Sequence, residues 1–205
     1  MGKALLIIFV KNPVLGKAKT RLAATVGEEA ALAIYKRLLE RTKSITQPLA
    51  VDKTVFYDHD LGENDLWSAE DFSKDLQSNG DLGEKMLAAV QSAFQQGYER
   101  VCVIGSDCYD LTTDILNQAF SSLENHDAVI GGAVDGGYYL IGMSSLITDV
   151  FQNKKWSTEE VFPSTIQDFK NKGLSYFQLP VLNDVDTEED LGDWAQDILK
   201  EHKKA

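Results

Sequence analysis

The sequence predicts an α/β fold, a three-layer sandwich around a mixed but mostly parallel sheet. Three observations carry that prediction. Short runs rich in Leu, Ile, Val and Phe alternate with amphipathic stretches through the first two thirds of the chain. Several of these runs end in loops punctuated by Gly or Pro. No internal repeat, low-complexity tract or long linker interrupts the 205 residues, so one domain spanning 1–205 is expected.

Residues 4–10 (ALLIIFV) read as a buried first strand. The segment 11–21, KNPVLGKAKTR, reads as a loop with Pro and Gly punctuation. Residues 28–45 form a helix in which Ala31, Tyr35, Leu38, Thr42 and Ile45 share one stripe. Residues 53–57 are a second strand, and an acidic, irregular segment runs from 58 to 81. A helix over 83–96 stops at Gly97. A strand over 101–104 leads into GSDCYDLT and a helix over 113–124. Two more strands, 127–134 and 138–143, flank Asp135-Gly136-Gly137, a turn that makes one strand antiparallel. Ser157 to Glu160 fits a capping box for a helix that Pro163 delays. Residues 174–179 are a strand. Thr187 to Asp190 opens a last helix with Leu191, Trp194 and Ile198 inward.

Composition narrows the function classes. Hydrophobic residues at 43% and charged residues at 25% are ordinary for a soluble globular protein. No apolar run reaches the ~20 residues that cross a bilayer. The opening MGKALLIIFVKNP has too short an apolar run for a signal peptide and no small-residue cleavage site, so it is expected to be a strand. A net charge of −12 argues against nucleic acid or an anionic membrane as partner. Two cysteines, Cys102 and Cys108, are too few for a disulfide framework and fit free thiols in a reducing cytoplasm. Against the acidic whole, residues 1–21 carry five cations (Lys3, Lys11, Lys17, Lys19, Arg21) and no acid. That asymmetry suits a bound anion.

In open α/β sheets, ligands sit beyond the carboxyl ends of the strands. The first such loop, 11–21, joins a strand to a helix through basic residues and Gly16. Backbone N–H groups and cations there can hold phosphates, or the loop can simply be a solvated basic stretch. It is neither a Walker A motif nor a G-x-G-x-x-G fingerprint. The second, GSDCYDLT, ends a buried strand in Asp107. Asp110 and Thr112 suit helix capping, which leaves Asp107 as a candidate ligand for Mg²⁺ or Mn²⁺, hard ions that bridge carboxylates to phosphates. In the third, GGAVDGGYYLIG, glycines around Asp135 permit either close approach to a ligand or a tight hairpin. In the tail NDVDTEEDL, Asp184 and Asp186 alternate on extended chain and are expected to point to opposite sides. The three histidines (His59, His126, His202) lack ligand-like spacing. No CxxC, HExxH or G-x-S-x-G occurs, and no histidine lies near the cysteines to activate a thiol.

Taken as a set, KNPVLGKAKTRLA, GDLGEKM (Gly80 to Met86), GSDCYDLT, DAVIGGAVDGGYYLIGM, WSTEEV and DVDTEEDL resemble, in order, the DUF2064 family of glycosyltransferase-like proteins. Some members of that family are assigned to arsenosugar biosynthesis. The resemblance covers nearly the whole chain. It implies the nucleotide-diphospho-sugar transferase superfamily and its GT-A fold, a superfamily that also contains nucleotidylyltransferases. It further implies that Lys11, Gly16, Lys19 and Arg21 hold nucleotide phosphates, and that Gly80, Asp81, Leu82 and Gly83 lie at the base. Asp107, with Ser106 beside it, takes the part of a DxD metal ligand. Asp135, with Gly136 and Gly137, lies near the sugar or acceptor, and Asp186, or less readily Asp184, is a second metal ligand or acceptor contact. Two positions depart from the family pattern. Tyr109 stands where Pro usually follows the Cys, and Gly131-Gly132 stands where Gly-Pro is common.

The expected activity is therefore metal-dependent transfer of a sugar from a nucleotide diphosphate to a small acceptor. The alternative is nucleotidyl transfer from an NTP to a phosphorylated acceptor, around the same loop and metal. A third reading is a nucleotide-binding module without catalysis.

Overall fold

The first strand, β1 (Ala4–Val10), is buried at six of its seven positions, and this apolar run lies in the middle of the sheet. The computed structural model describes residues 2–62 and 65–202. Strands β2 (Asp52–Tyr57), β3 (Ser73–Leu76), β4 (Arg100–Ile104), β5 (Ala128–Ala133), β6 (Tyr138–Met143) and β7 (Tyr176–Leu182) complete a seven-stranded sheet of order β3-β2-β1-β4-β6-β5-β7. β1 pairs in parallel with β2 and β4, while β6 runs antiparallel to both β4 and β5. The mixed, mostly parallel sheet read from the sequence is the one observed.

Side-chain alternation sorts β1 between two cores. Leu6, Ile8 and Val10 pack with α1 (Thr20–Val26), α2 (Glu28–Thr46), α4 (Thr113–Ser122) and α6 (Gln196–His202). Leu5 and Ile7 pack with α3 (Leu82–Gln95) and α5 (Val161–Asn171) on the other face. The α2 stripe Ala31, Tyr35, Leu38, Thr42 and Ile45 is buried as its spacing predicts.

Several elements differ from expectation. The basic loop ends at Lys19, because Thr20–Val26 is helical, so Arg21 stands on the first turn of α1. The acidic segment contains β3, an exposed edge strand held by its register with β2. Glu63 and Asn64 of that segment lie outside the described residues. Ser157 caps nothing. It lies at φ 62, and α5 starts at Val161 without a side-chain cap. Pro163 falls in the first turn, where an amide hydrogen has no intrahelical partner to lose. β7 extends through Pro180, tolerated because it is an edge strand. Thr187 and Asp190 do form a capping box, but it opens a single 3₁₀ turn, and the last helix begins only at Gln196.

Candidate active site

The carboxyl ends of β1 and β4 open into a cleft of about 590 Å³, walled by the first loop, the Asp107 loop, the start of α3, the start of β6 and the tail after β7. Tyr35 of α2 joins two of these walls. Its hydroxyl accepts from Lys11 N at 2.8 Å, donates toward Lys11 O at 3.1 Å, and lies 3.3 Å from Ser106 Oγ. A tyrosine on a buried stripe needs partners for its hydroxyl, and here they are the backbone of one loop and the side chain of the other. Burial, then the negative charge of Asp107, pushes the Tyr35 phenol well above its ordinary range, so it stays protonated. Asn12 and Gln77 fix the rim. Asn12 N donates to Asp58 Oδ1 at 2.6 Å, and Gln77 Nε2 donates to the carbonyls of Val10 and Phe56.

Lys19 takes the left-handed conformation, φ 52, just before α1. That backbone turn aims its side chain inward, where only 7% of it is exposed. Nζ lies 2.9 Å from Asp107 Oδ1 and also donates to the carbonyl of Val185. Val185 N in turn donates to Asp107 O at 2.9 Å. Two residues on, in the first turn of α1, Arg21 pairs with Asp186 at 2.6 Å. The tail is thus fastened to both loops. Tyr109 adds to this fastening: its ring stacks on Trp194 at 4.1 Å and 8°, and its carbonyl accepts from Arg41 Nε.

Thr112, not Asp107, caps α4. Asp107 is free of that duty, as its position in the sequence suggests. Asp184 is the tail carboxylate turned into the interior. Burial, then the charges of Asp107 and Asp135, raise its pKa to about 7, against the opposing pull of Lys19 and the Cys108 thiol. Cys108 itself is pushed up to about 12, first by burial and then by Asp184, so it stays a neutral thiol. Among the described residues no group of three His, Cys, Asp or Glu side chains is arranged to hold a metal ion.

Of the residues singled out in the sequence, Lys11, Lys19, Arg21, Leu82, Ser106, Asp107, Asp184 and Asp186 line this cleft, so the two tail aspartates share it rather than pointing to opposite sides. Gly16, Gly80, Asp81 and Gly83 do not. Asp81 is the N-cap of α3 in a reciprocal box with Glu84. Gly83 is buried where a Cβ would meet Phe151 O at 2.2 Å, so its lack of a side chain serves packing. Asp135 sits in the β5–β6 hairpin turn and accepts from Gly137 N at 2.8 Å, with neither residue on the cleft wall. Gly136, at φ +86, lies where a Cβ would come 2.4 Å from Glu159 Cα. Sequence reasoning passed over Tyr35, Gln77, Lys85 and Tyr138 as wall residues and ranked Asp184 below Asp186. Of these, only Tyr35 carried a signal, a hydroxyl on an otherwise apolar stripe.

Known proteins can be set beside this geometry. The DUF2064 family, described as an uncharacterized protein conserved in bacteria, matches residues 41–158. A candidate nucleotide-diphospho-sugar transferase from Desulfovibrio desulfuricans G20 superposes with a TM-score of 0.86 and is 32% identical, over 100% of this chain and 96% of its own. The 4-diphosphocytidyl-2C-methyl-D-erythritol synthase of Anaerococcus prevotii DSM 20548 has a TM-score of 0.61 at 11% identity, over 97% and 96% of the two chains. A cytidylyltransferase from Leptospira borgpetersenii serovar Hardjo-bovis has a TM-score of 0.57 at 17% identity, over 100% and 95%. These last two share the fold alone. No curated protein matches the sequence. The fold is that of the nucleotide-diphospho-sugar transferases, and the match of the family across the middle of the sequence, with the full-length 32% relative, shows that this chain belongs to the DUF2064 family.

Proposed function

We propose that the chain is a metal-dependent glycosyltransferase that takes a nucleotide-diphosphate sugar and passes the sugar to a small acceptor. The observation that carries this reading is the Lys19–Asp107 pair, 2.9 Å apart, set beside the shielded Asp184 in the cleft at the carboxyl edge of the sheet. In sugar transfer the bond from the sugar carbon to the diphosphate breaks, and its electron pair leaves with the diphosphate. The acceptor oxygen makes the new bond and gives up its proton. Lys19 and Arg21 stand where they can meet the growing negative charge, with Lys11 at the mouth of the same loop. Ser106 and Leu82 line the donor side. Asp135, in the β5–β6 turn with its charge reaching Asp184, is the group we assign to orient the acceptor hydroxyl or take its proton.

The donor set suits Mg²⁺ or Mn²⁺. It is all oxygen, and one or two carboxylates suffice when substrate phosphates and water complete the shell. Burial first, and then the neighbouring charges of Asp107 and Asp135, raise the Asp184 pKa, and a divalent cation would relieve the second of these. Asp107 and Asp184 would hold the ion, with Asp186 close by on Arg21. When bound, it neutralises charge on the leaving diphosphate.

Nucleotidyl transfer is the second reading, favoured by the fold shared with cytidylyltransferases. Thermal-shift screening against nucleotides and nucleotide sugars, with Mg²⁺, Mn²⁺ or EDTA, tests the site. A ligand selective for the native state raises the melting temperature by mass action. The expected result is a metal-dependent shift that Asp107→Asn removes along with turnover. A fully active Asp107→Asn protein rules out the metal role. Release of pyrophosphate from an NTP selects nucleotidyl transfer, and binding without turnover across broad acceptor panels selects a non-catalytic module.

A further inference from the structure

The cations of the cleft are unequally employed. Lys19 is neutralised by Asp107 and Arg21 by Asp186, both on the side of the sheet where α1 and α2 pack. Lys85 lines the cleft from α3, on the opposite layer. It is half-buried, and among the described residues its ammonium meets no carboxylate and makes no hydrogen bond. A partner was available four residues back, the spacing at which helical ion pairs form. That residue, Asp81, is instead committed to Glu84 N in the capping box. In a chain of net charge −12, a half-buried cation without a counterion is conspicuous.

The next residue of the same turn leads to a second idle donor. Tyr138, at the start of β6, directs its hydroxyl to Met86 Sδ at 3.9 Å. Thioether sulfur is a weak acceptor, so the O–H is poorly satisfied where it lies. Burial keeps the phenol protonated, hence a donor. Met86 supplies an apolar floor beside the two.

We infer that Lys85 and Tyr138 form an anion subsite on the α3 wall, separate from the phosphate-holding loop, which takes the carboxylate or phosphate group of the second substrate. The acceptor is then a small organic anion with a compact apolar body. This inference rests on the transferase reading for the word acceptor, but the subsite itself does not.

The test is calorimetric titration of inorganic phosphate and of acetate into wild type, Lys85→Met, Lys85→Arg and Tyr138→Phe, each first loaded with the nucleotide that gives the largest thermal shift. Loading occupies the basic loop, and Met keeps the length of the stem. Loss of one charge-assisted donor should weaken phosphate binding about tenfold in Lys85→Met. Tyr138→Phe should weaken it less, and Lys85→Arg should restore it. Nucleotide affinity should be the same in all four proteins. Preference for phosphate over acetate, or the reverse, identifies which anion the acceptor carries. Phosphate affinity unchanged in Lys85→Met would overturn the inference. So would a nucleotide affinity that falls with it, since Lys85 would then belong to the donor. If wild type binds no nucleotide, the transferase reading fails, and the same titrations on unloaded protein still decide the subsite.

Discussion

Replacing Asp184 by Asn should make the metal-free protein more stable above about pH 4, by a margin that grows until about pH 7. The carboxyl is lifted from an ordinary 3.8 to about 7, by burial first and by Asp107 and Asp135 next. Below about pH 4 it is protonated in both folded and unfolded chains and costs nothing. As pH rises, the unfolded chain loses this proton first, so stability declines until the native group also ionises near pH 7. Each pH unit between the two values is worth about 1.4 kcal/mol. The full loss is therefore about 4 kcal/mol by pH 8. Asn keeps an oxygen for the Cys108 thiol and has no proton to lose. Urea unfolding of both proteins in EDTA, from pH 4 to pH 8, gives the comparison. The stability difference should start near zero and grow with pH. Against a typical total of about 5–15 kcal/mol it is easily measured. A difference that stays flat with pH, or an Asn variant less stable at pH 8, would refute the reasoning. Saturating Mn²⁺ should shrink the difference, because an ion held by Asp107 and Asp184 stabilises wild type selectively.

Two further substitutions probe the supports of the cleft. Tyr35→Phe leaves Lys11 N and O without their partner at 2.8 and 3.1 Å, and should cost about 1–3 kcal/mol in urea unfolding while weakening nucleotide binding in the thermal-shift screen. Gly136→Ala sets a methyl against Glu159 at a φ of +86. It should destabilise by about 2 kcal/mol or more, seen as an earlier urea midpoint with little change in slope.

Much of this fold is legible in the sequence because its central strands are buried on both faces and read as unbroken apolar runs. β1, β4 and β6 are of that kind. β3 is not: Ser-Lys-Asp-Leu has no apolar face, and its strand exists only because β2 offers a parallel edge. α1 is also hidden, since seven residues with only Leu22 buried give no period to detect. The site divides the same way. Lys19 and Asp107 are readable because each follows a strong strand. The choice between Asp184 and Asp186 is not, because alternation says that they diverge, whereas both line the cleft. Asp186 is paired there with Arg21, and Asp184 is shielded by burial. Lys85 is invisible for a related reason: nothing local announces that its i−4 neighbour is already engaged.

The tail that carries Asp184 and Asp186 sets the order in which the cleft comes into being. Lys19 and Val185 are 166 residues apart, and Arg21 and Asp186 are 165 apart. A chain leaves the ribosome from its amino end. The central strands can pair early and bring Lys19 to Asp107, yet Arg21, and the second partner of Lys19, must wait for almost the last segment. Closing so long a loop is slow and is rewarded only at the end. Truncation just after β7 would leave the sheet with every strand and the basic loop facing open water, a nascent chain that has its architecture but not its chemistry.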